Sequence, residues 1–445
     1  MNTAAATPAP PAIDGREYLR LIGLGAVIGV PAAFVAIAFL GLVHEAEHLL
    51  WTTIPESMGL DAPPWWMVLL FPVVGALLVW FARVKLPGDG GHEPVHGLNA
   101  APTPLSYAPG VALAAFGSLA FGAVVGPEAP LIALGSTVGM LAVRWWKLQG
   151  PSEQVLSTAG SFSAVSALFG GPIVAGVLLL EAGIGVGAAI LPVLIPGVVA
   201  AAIGYLLITG VGGWAGIPTS PLTVPDLPTY GSPRVIDLVL AIVIGLIVAV
   251  VVRVVHQVAL AILDRRSRFG VGPTLVLGGL ATGALTLVII ALGGTYQDVL
   301  FSGQNDLSAM LAETSELLIL AIIALKALAY AICLGAGFRG GPIFPAIFIG
   351  VGVAMLVGEL FDMSPTAALG IGTACGMAAF SRLIFSSLVL TLLIVGGENG
   401  DVIPAAVLAA CTGWVIAKSL DTRAQKRAAA AMAAGGGDAP GPAPA

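Results

Sequence analysis

Glu128 is the feature that most constrains this chain. It is the only acidic residue between Glu93 and Arg144, and it stands in the middle of a long apolar segment. A carboxylate at membrane depth is costly, so it normally faces a water-filled path or a partner. Gly126 and Pro127 break the chain just before it, and Pro130 suits the first turn of a new helix. The local reading is a helix whose N-terminus opens inside the bilayer with an acid at its mouth. Free N–H groups and the helix dipole make such an end an anion site. A carboxylate lodged there competes with an incoming anion until it swings away or takes a proton.

Composition enters where the argument needs a membrane. Only 9% of the 445 residues are charged, 58% are hydrophobic, and the mean hydropathy is +1.00. Soluble domains carry about 25% charged residues, so the chain reads as an all-α, multi-pass integral membrane protein. Val155–Leu180 and Ala182–Pro225 hold no Asp, Glu, Lys, Arg or His at all. The 59 glycines and 32 prolines point to closely packed, frequently broken helices. No basic patch suggests nucleic acid. Cys333, Cys375 and Cys411 read as buried hydrophobes rather than a disulfide set. Residues 1–15 and 426–445, rich in Ala, Pro and Gly, are expected to be disordered tails flanking a transmembrane domain over 16–425.

Arg16 and Arg20 precede the first apolar span, Arg83 and Lys85 follow the second, and Lys418, Arg423, Lys426 and Arg427 follow the last. The positive-inside rule puts these points and both termini in the cytoplasm. The loop from Gly210 to Ser232 lacks Lys and Arg and is placed outside. Ile236–Leu263 is then an unusually long helix of roughly 42 Å, ending inside at Arg265, Arg266 and Arg268. Spans are expected near 273–292, 316–334, 342–361, 365–395 and 402–419.

Three glycine-proline breaks recur: Gly90-Gly91-His92-Glu93-Pro94, Gly126-Pro127-Glu128-Ala129-Pro130 and Gly340-Gly341-Pro342-Ile343-Phe344-Pro345. Each is expected to open an apolar helix. The second and third occupy comparable places in two halves, about 16–230 and 231–425, and that is the mark of a transporter with inverted repeats and a midplane site.

At these breaks the sequence resembles the CLC family of chloride channels and chloride/proton exchangers, whose motifs are usually written GSGIP, GREGP and GxFxP. The resemblance runs from about residue 18 to 420 and is to a prokaryotic-type member without regulatory C-terminal domains. It implies a CLC-type fold of two antiparallel halves in a bacterial cytoplasmic membrane, a homodimer with one pathway per subunit, no cofactor, and a small anion, chloride by default, as cargo. Carried over, Glu128 is the gating glutamate. Gly90, Gly91, His92, Glu93, Gly126, Ala129, Gly341, Ile343 and Phe344 surround the anion, and Lys326 and Arg339 lie near the third break. Small residues Gly23, Gly25, Gly29, Gly183, Gly185 and Gly187 suit close helix contact and a dimer face within the lipid.

The departures bear on mechanism. Gly91 stands where the family has an anion-contacting Ser, and Ile343 stands where it has Phe. No Tyr follows Tyr330, and matching on Pro404 puts Asn399 in the place of the family's inner-gate Tyr. Matching on Pro172 puts Ala182 in the place of the exchangers' inner acid, with Glu181 just before it. A methyl group relays no proton, so the reading is channel-like or weakly coupled transport. The alternative is an exchanger using Glu181. A reading from another class is a membrane zinc protease on His44-Glu45-Ala46-Glu47-His48, a match to H-E-x-x-H. No third ligand is evident for it, and an interfacial polar cap explains the same residues. The second such match, His92–His96, is interrupted by Pro94.

Overall fold

The structure is a computed structural model that describes residues 15–183, 190–217 and 222–435. Its helices, in chain order, begin with α1 (Gly15–His48), α2 (Ile54–Ser57), α3 (Trp65–Lys85) and α4 (Ala108–Leu119). The first half continues through α5 (Glu128–Trp145), α6 (Pro151–Phe169), α7 (Pro172–Glu181) and α8 (Ile190–Thr209). The second half runs through α9 (Val235–Phe269), α10 (Val271–Ala291), α11 (Leu307–Ala312) and α12 (Glu316–Ala336). It ends with α13 (Ile343–Glu359), α14 (Pro365–Ser381), α15 (Ile384–Val395) and α16 (Ile403–Gly435). Among the described residues, the only extended pairings are two isolated bridges, Gly126 with Gly341 and Val211 with Trp214. Seven helices among the described residues are long and apolar enough to cross a membrane.

The packing repeats between the halves. α6 packs on α1, α5, α7 and α8, while α14 packs on α9, α13, α15 and α16. Across the halves, α3 packs on α10 and α7 on α15, so equivalent elements meet each other, as they do about a two-fold axis. The repeat is inverted: the last turn of α3, with Arg83, lies beside the end of α9 through shared contacts with Glu93, whereas α10 starts there, directly after α9.

Sequence explains the closeness. A Cβ at Gly135, Gly139 or Gly160 would strike backbone across the α5–α6 contact, and one at Gly350, Gly372 or Gly376 would do so across α13–α14. Several buried serine hydroxyls of α6 are spent on neighbouring helices. Ser161 donates to Ile132 O (2.9 Å), Ser163 to Gly29 O (2.6 Å), and Ser157 pairs with Ser136 (2.8 Å). Such bonds satisfy polar groups where no water is at hand.

Several expectations change. The first glycine-proline break opens no apolar helix; Pro94–His96 is a single 3₁₀ turn, and regular helix resumes only at Ala108. The span expected over 365–395 is two helices bent at Arg382, whose φ of +65° ends α14. α16 continues to Gly435, past the point where a tail was expected. Gly25 and Gly29 face Pro196 and Ala200 of α8 within the same chain, so they are spent internally. Gly183 has open space around it, and Gly185 and Gly187 lie outside the described residues.

Candidate functional site

The two halves touch at their breaks. Gly126 N donates to Gly341 O at 2.6 Å, and Gly341 N donates back to Gly126 O. This seam aims the N-termini of α5 and α13 at one point, and Glu128, first residue of α5, fills it. Glu128 is fully buried, and its Oε1 accepts from Phe344 N at 3.1 Å in the first turn of α13. Oε2 accepts no hydrogen bond from the described residues. Glycine at 126 and 341 is required for this packing, because a Cβ at either position would occupy the space of the Glu128 carboxylate. Pro342 offers no N–H, so Ile343 and Phe344 supply the amides. The Phe344 ring stacks on Phe169, the last residue of α6, with centroids 5.7 Å apart.

A cavity lies on either side. One, of about 260 Å³, is lined by His44, Glu47, Val125, Pro127, Phe301 and Gln304 among others, so it reaches the two residues flanking Gly126. The other, of about 450 Å³, is lined by Val95, Arg253, His256, Phe380, Arg382 and Asp421 among others. Two rings part it from the seam. Phe380 lies 5.6 Å from Tyr330, and the Tyr330 hydroxyl donates to Pro342 O at 2.7 Å, one residue before Ile343. Sequence reasoning missed Tyr330, Phe380, Arg382 and Asp421. A lone hydroxyl in the apolar α12 was the one available signal, and nothing marked the other three.

The first break serves a different purpose. The Gly91 N–H is donated to Gly88 O at 2.9 Å and is not free for an anion. Glu93 is caged by Arg266 (2.6 Å), Arg83 (3.2 Å) and Arg339 (3.4 Å). Burial alone would push its carboxyl up, but Arg339, Arg266 and Arg83 outweigh this and hold it below the usual carboxylate range. Arg339, 1% exposed, also binds Asp89 (2.5 Å), so its charge is committed within the protein. Gly90 sits against Ala114 and Arg339, and the His92 ring lies 6.4 Å from His96. This break is an ionic knot. Ala129 is buried in the first turn of α5.

Three further residues are committed elsewhere. Glu181 caps α15: Oε1 accepts from Ile384 N (2.7 Å) and Phe385 N (3.1 Å), while Oε2 accepts from Ser386 N (2.8 Å) and Oγ (2.7 Å). Asn399 accepts from Tyr230 N and donates to Val395 O, both at 2.9 Å. Lys326 does not snorkel. It is buried, donates to Gln297, Asp298 and Leu300 carbonyls, and lies 4.3 Å over the Phe348 ring. Among the described residues no three His, Cys, Asp or Glu side chains gather as a metal site, His44, Glu45 and His48 included.

Residues 74–418 match the voltage gated chloride channel family. Putative ion-transport protein YfeO of Escherichia coli is 28% identical over 425 residues, covering 89% of this chain and 93% of the relative. YfeO of Shigella flexneri is equally similar. Among solved structures, a slow cyanobacterial Cl⁻/H⁺ antiporter superposes with a TM-score of 0.71 at 18% identity, over 93% of this chain and 96% of the other. A CLC-type fluoride/proton antiporter superposes with a TM-score of 0.70 at 21% identity, over 92% and 98%.

Proposed function

The chain belongs to the voltage gated chloride channel family, of CLC fold, and from that premise we propose that it carries small inorganic anions, chloride first, along a path that Glu128 gates. It is a membrane transport protein and not an enzyme. One observation carries the proposal: the Glu128 carboxylate lies on the first-turn amide of α13, between two cavities, and fills the place an anion would take. Helix N-termini favour negative charge, so carboxylate and anion exclude each other there. Protonation cancels the charge that holds Glu128 in place, and the site becomes free. Flux then rises as the pH falls.

Glu181 is saturated by four donors on α15, and Ala182 carries no acid. Transport is therefore channel-like or weakly proton-coupled. The Cl⁻/H⁺ and fluoride/proton antiporters of like fold favour the second reading, a coupled exchanger. By the positive-inside rule the Arg253–Arg382 cavity faces the cytoplasm, with both termini. Two copies pair within the membrane, as the resemblance implies.

The test is chloride efflux from proteoliposomes, with and without valinomycin, while a pH electrode follows the same vesicles. Fast efflux with little proton movement supports the proposal. Tightly linked proton uptake supports the exchanger. No chloride flux removes chloride, and fluoride is the next anion to try.

A further inference from the structure

The cavity on the far side of Phe380 is more than the space below a gate. Arg253 comes from α9, Arg382 from the α14–α15 corner, and both guanidiniums converge on one carboxylate of α16. Arg253 Nη1 donates to Asp421 Oδ1 and Arg382 Nη2 to Asp421 Oδ2, each at 2.7 Å. All three residues line the 450 Å³ cavity, with His96 and His256 beside them. Two permanent cations thus face one anion, and His256 Nε2 is engaged by Val95 O at 3.2 Å. A second observation singles out Arg382. It holds φ +65°, a backbone region that a side chain normally avoids and glycine fills without cost. Trp414 Nε1 fixes this corner by donating to Arg382 O at 3.1 Å. The Arg382 head serves both sides of the corner: Nη1 donates to Ala379 O in the last turn of α14, and Nη2 reaches Asp421 in the cavity.

We propose that this cavity is a second anion site, in which Arg253 and Arg382 hold a small inorganic anion in exchange for the Asp421 carboxylate. The inference rests on the transport reading above for its cargo. Asp421 is to this site what Glu128 is to the seam, an internal carboxylate occupying a position that an anion takes. When an anion enters, Asp421 swings out toward the open side of the cavity, where it is already 28% exposed. The anion then waits against Phe380, with Tyr330 and the α13 amides beyond.

Bromide is the probe, because its anomalous scattering locates it. Crystals of Asp421→Asn grown with bromide should show a peak between Arg253 and Arg382, and halide should raise the melting temperature of this variant more than that of the unaltered protein. The apparent bromide affinity should tighten by about tenfold, since the carboxylate-free state no longer has to be drawn from a minority. The double variant Arg253→Gln/Arg382→Gln should lose both signals. If Asp421→Asn does not purify folded, Asp421→Ser makes the same test with a smaller side chain. A bromide peak at Ile343 and Phe344 of Glu128→Gln, with none between the arginines of either Asp421 variant, overturns this inference and leaves the transport proposal standing. Bromide held by the arginines in a protein that passes no anion supports the site and sinks the transport reading. Identical halide stabilisation with and without Asp421 makes it an ordinary ion pair and ends the proposal.

Discussion

At the residue scale, one carboxylate oxygen decides most. Glu128 Oε1 accepts from Phe344 N while Oε2 has no partner among the described residues, so first-turn amides of α13 and the helix dipole hold the acid. Glu128→Gln keeps the shape and removes the charge. Its chloride flux at neutral pH should reach or exceed that of the unaltered protein at low pH, and the pH dependence should flatten; a Gln variant with the same steep profile refutes the gate. Gly341→Ala tests the packing from the other side. Its methyl group would take the carboxylate's space, so the variant should pass chloride with little pH dependence where it folds. Glu181→Gln should behave otherwise. It weakens four hydrogen bonds at the start of α15 and should cost about 1–2 kcal/mol of stability, read as a lower melting temperature, with proton movement unchanged. Glu128 was legible in the sequence because a lone acid in an apolar run must serve a water-filled path or a partner. Glu181 was not, because a cap donated across the two halves, from α7 to α15, leaves no local pattern.

At the element scale, the second and third breaks were legible because glycine, proline and an apolar run together dictate a helix that starts inside the bilayer. The first was misread because the same letters, with His92 and Glu93 between them, form a turn whose partners come from 10, 173 and 246 residues away. Those distant partners supply the guanidiniums, and no window along the chain contains them. The knot also sets a pH dependence. Glu93 has a lower pKa folded than unfolded because three arginines overcome its burial. Such a group adds stability above its unfolded pKa, and the contribution vanishes as the pH falls through the folded value. The melting temperature should therefore begin to fall only as the pH drops below the ordinary glutamate pKa, about 4.3, keep falling as the pH passes through the lower folded value, and fall less in Glu93→Gln. That variant should already be about 2 kcal/mol or more less stable at pH 7, since it leaves Arg266 without its counter-charge and Arg83 and Arg339 with Asp89 alone. Equal acid sensitivity in both proteins would mean that the knot contributes nothing.

At the scale of the whole molecule, four positive sites are each filled by one of the protein's own carboxylates: Glu128 on α13, Asp421 on two arginines, Glu93 on three, Glu181 on α15. Glu128 lies between the cavities and Asp421 lines one of them, and two rings separate the pair. A proton leaving Glu128 toward the Arg382 cavity meets Tyr330, whose own proton is given to Pro342 O, and then the Phe380 ring, which carries none. Glu181 points its oxygens at amides of another helix, α15, and away from this route. A protein built this way should let chloride run down its gradient without driving protons uphill in a fixed ratio. With an outward chloride gradient and no ionophore, the electrode should record far less proton uptake than chloride release, and Glu181→Gln should leave that record unaltered. Tyr330→Phe supplies the discriminating control. If strong coupling is found and vanishes when the hydroxyl is removed, protons travel through Tyr330 toward His256, and the two rings are a relay as well as a barrier. If coupling is weak with and without the hydroxyl, the rings hold back anions alone, and Glu128 is the only protonatable step on the path.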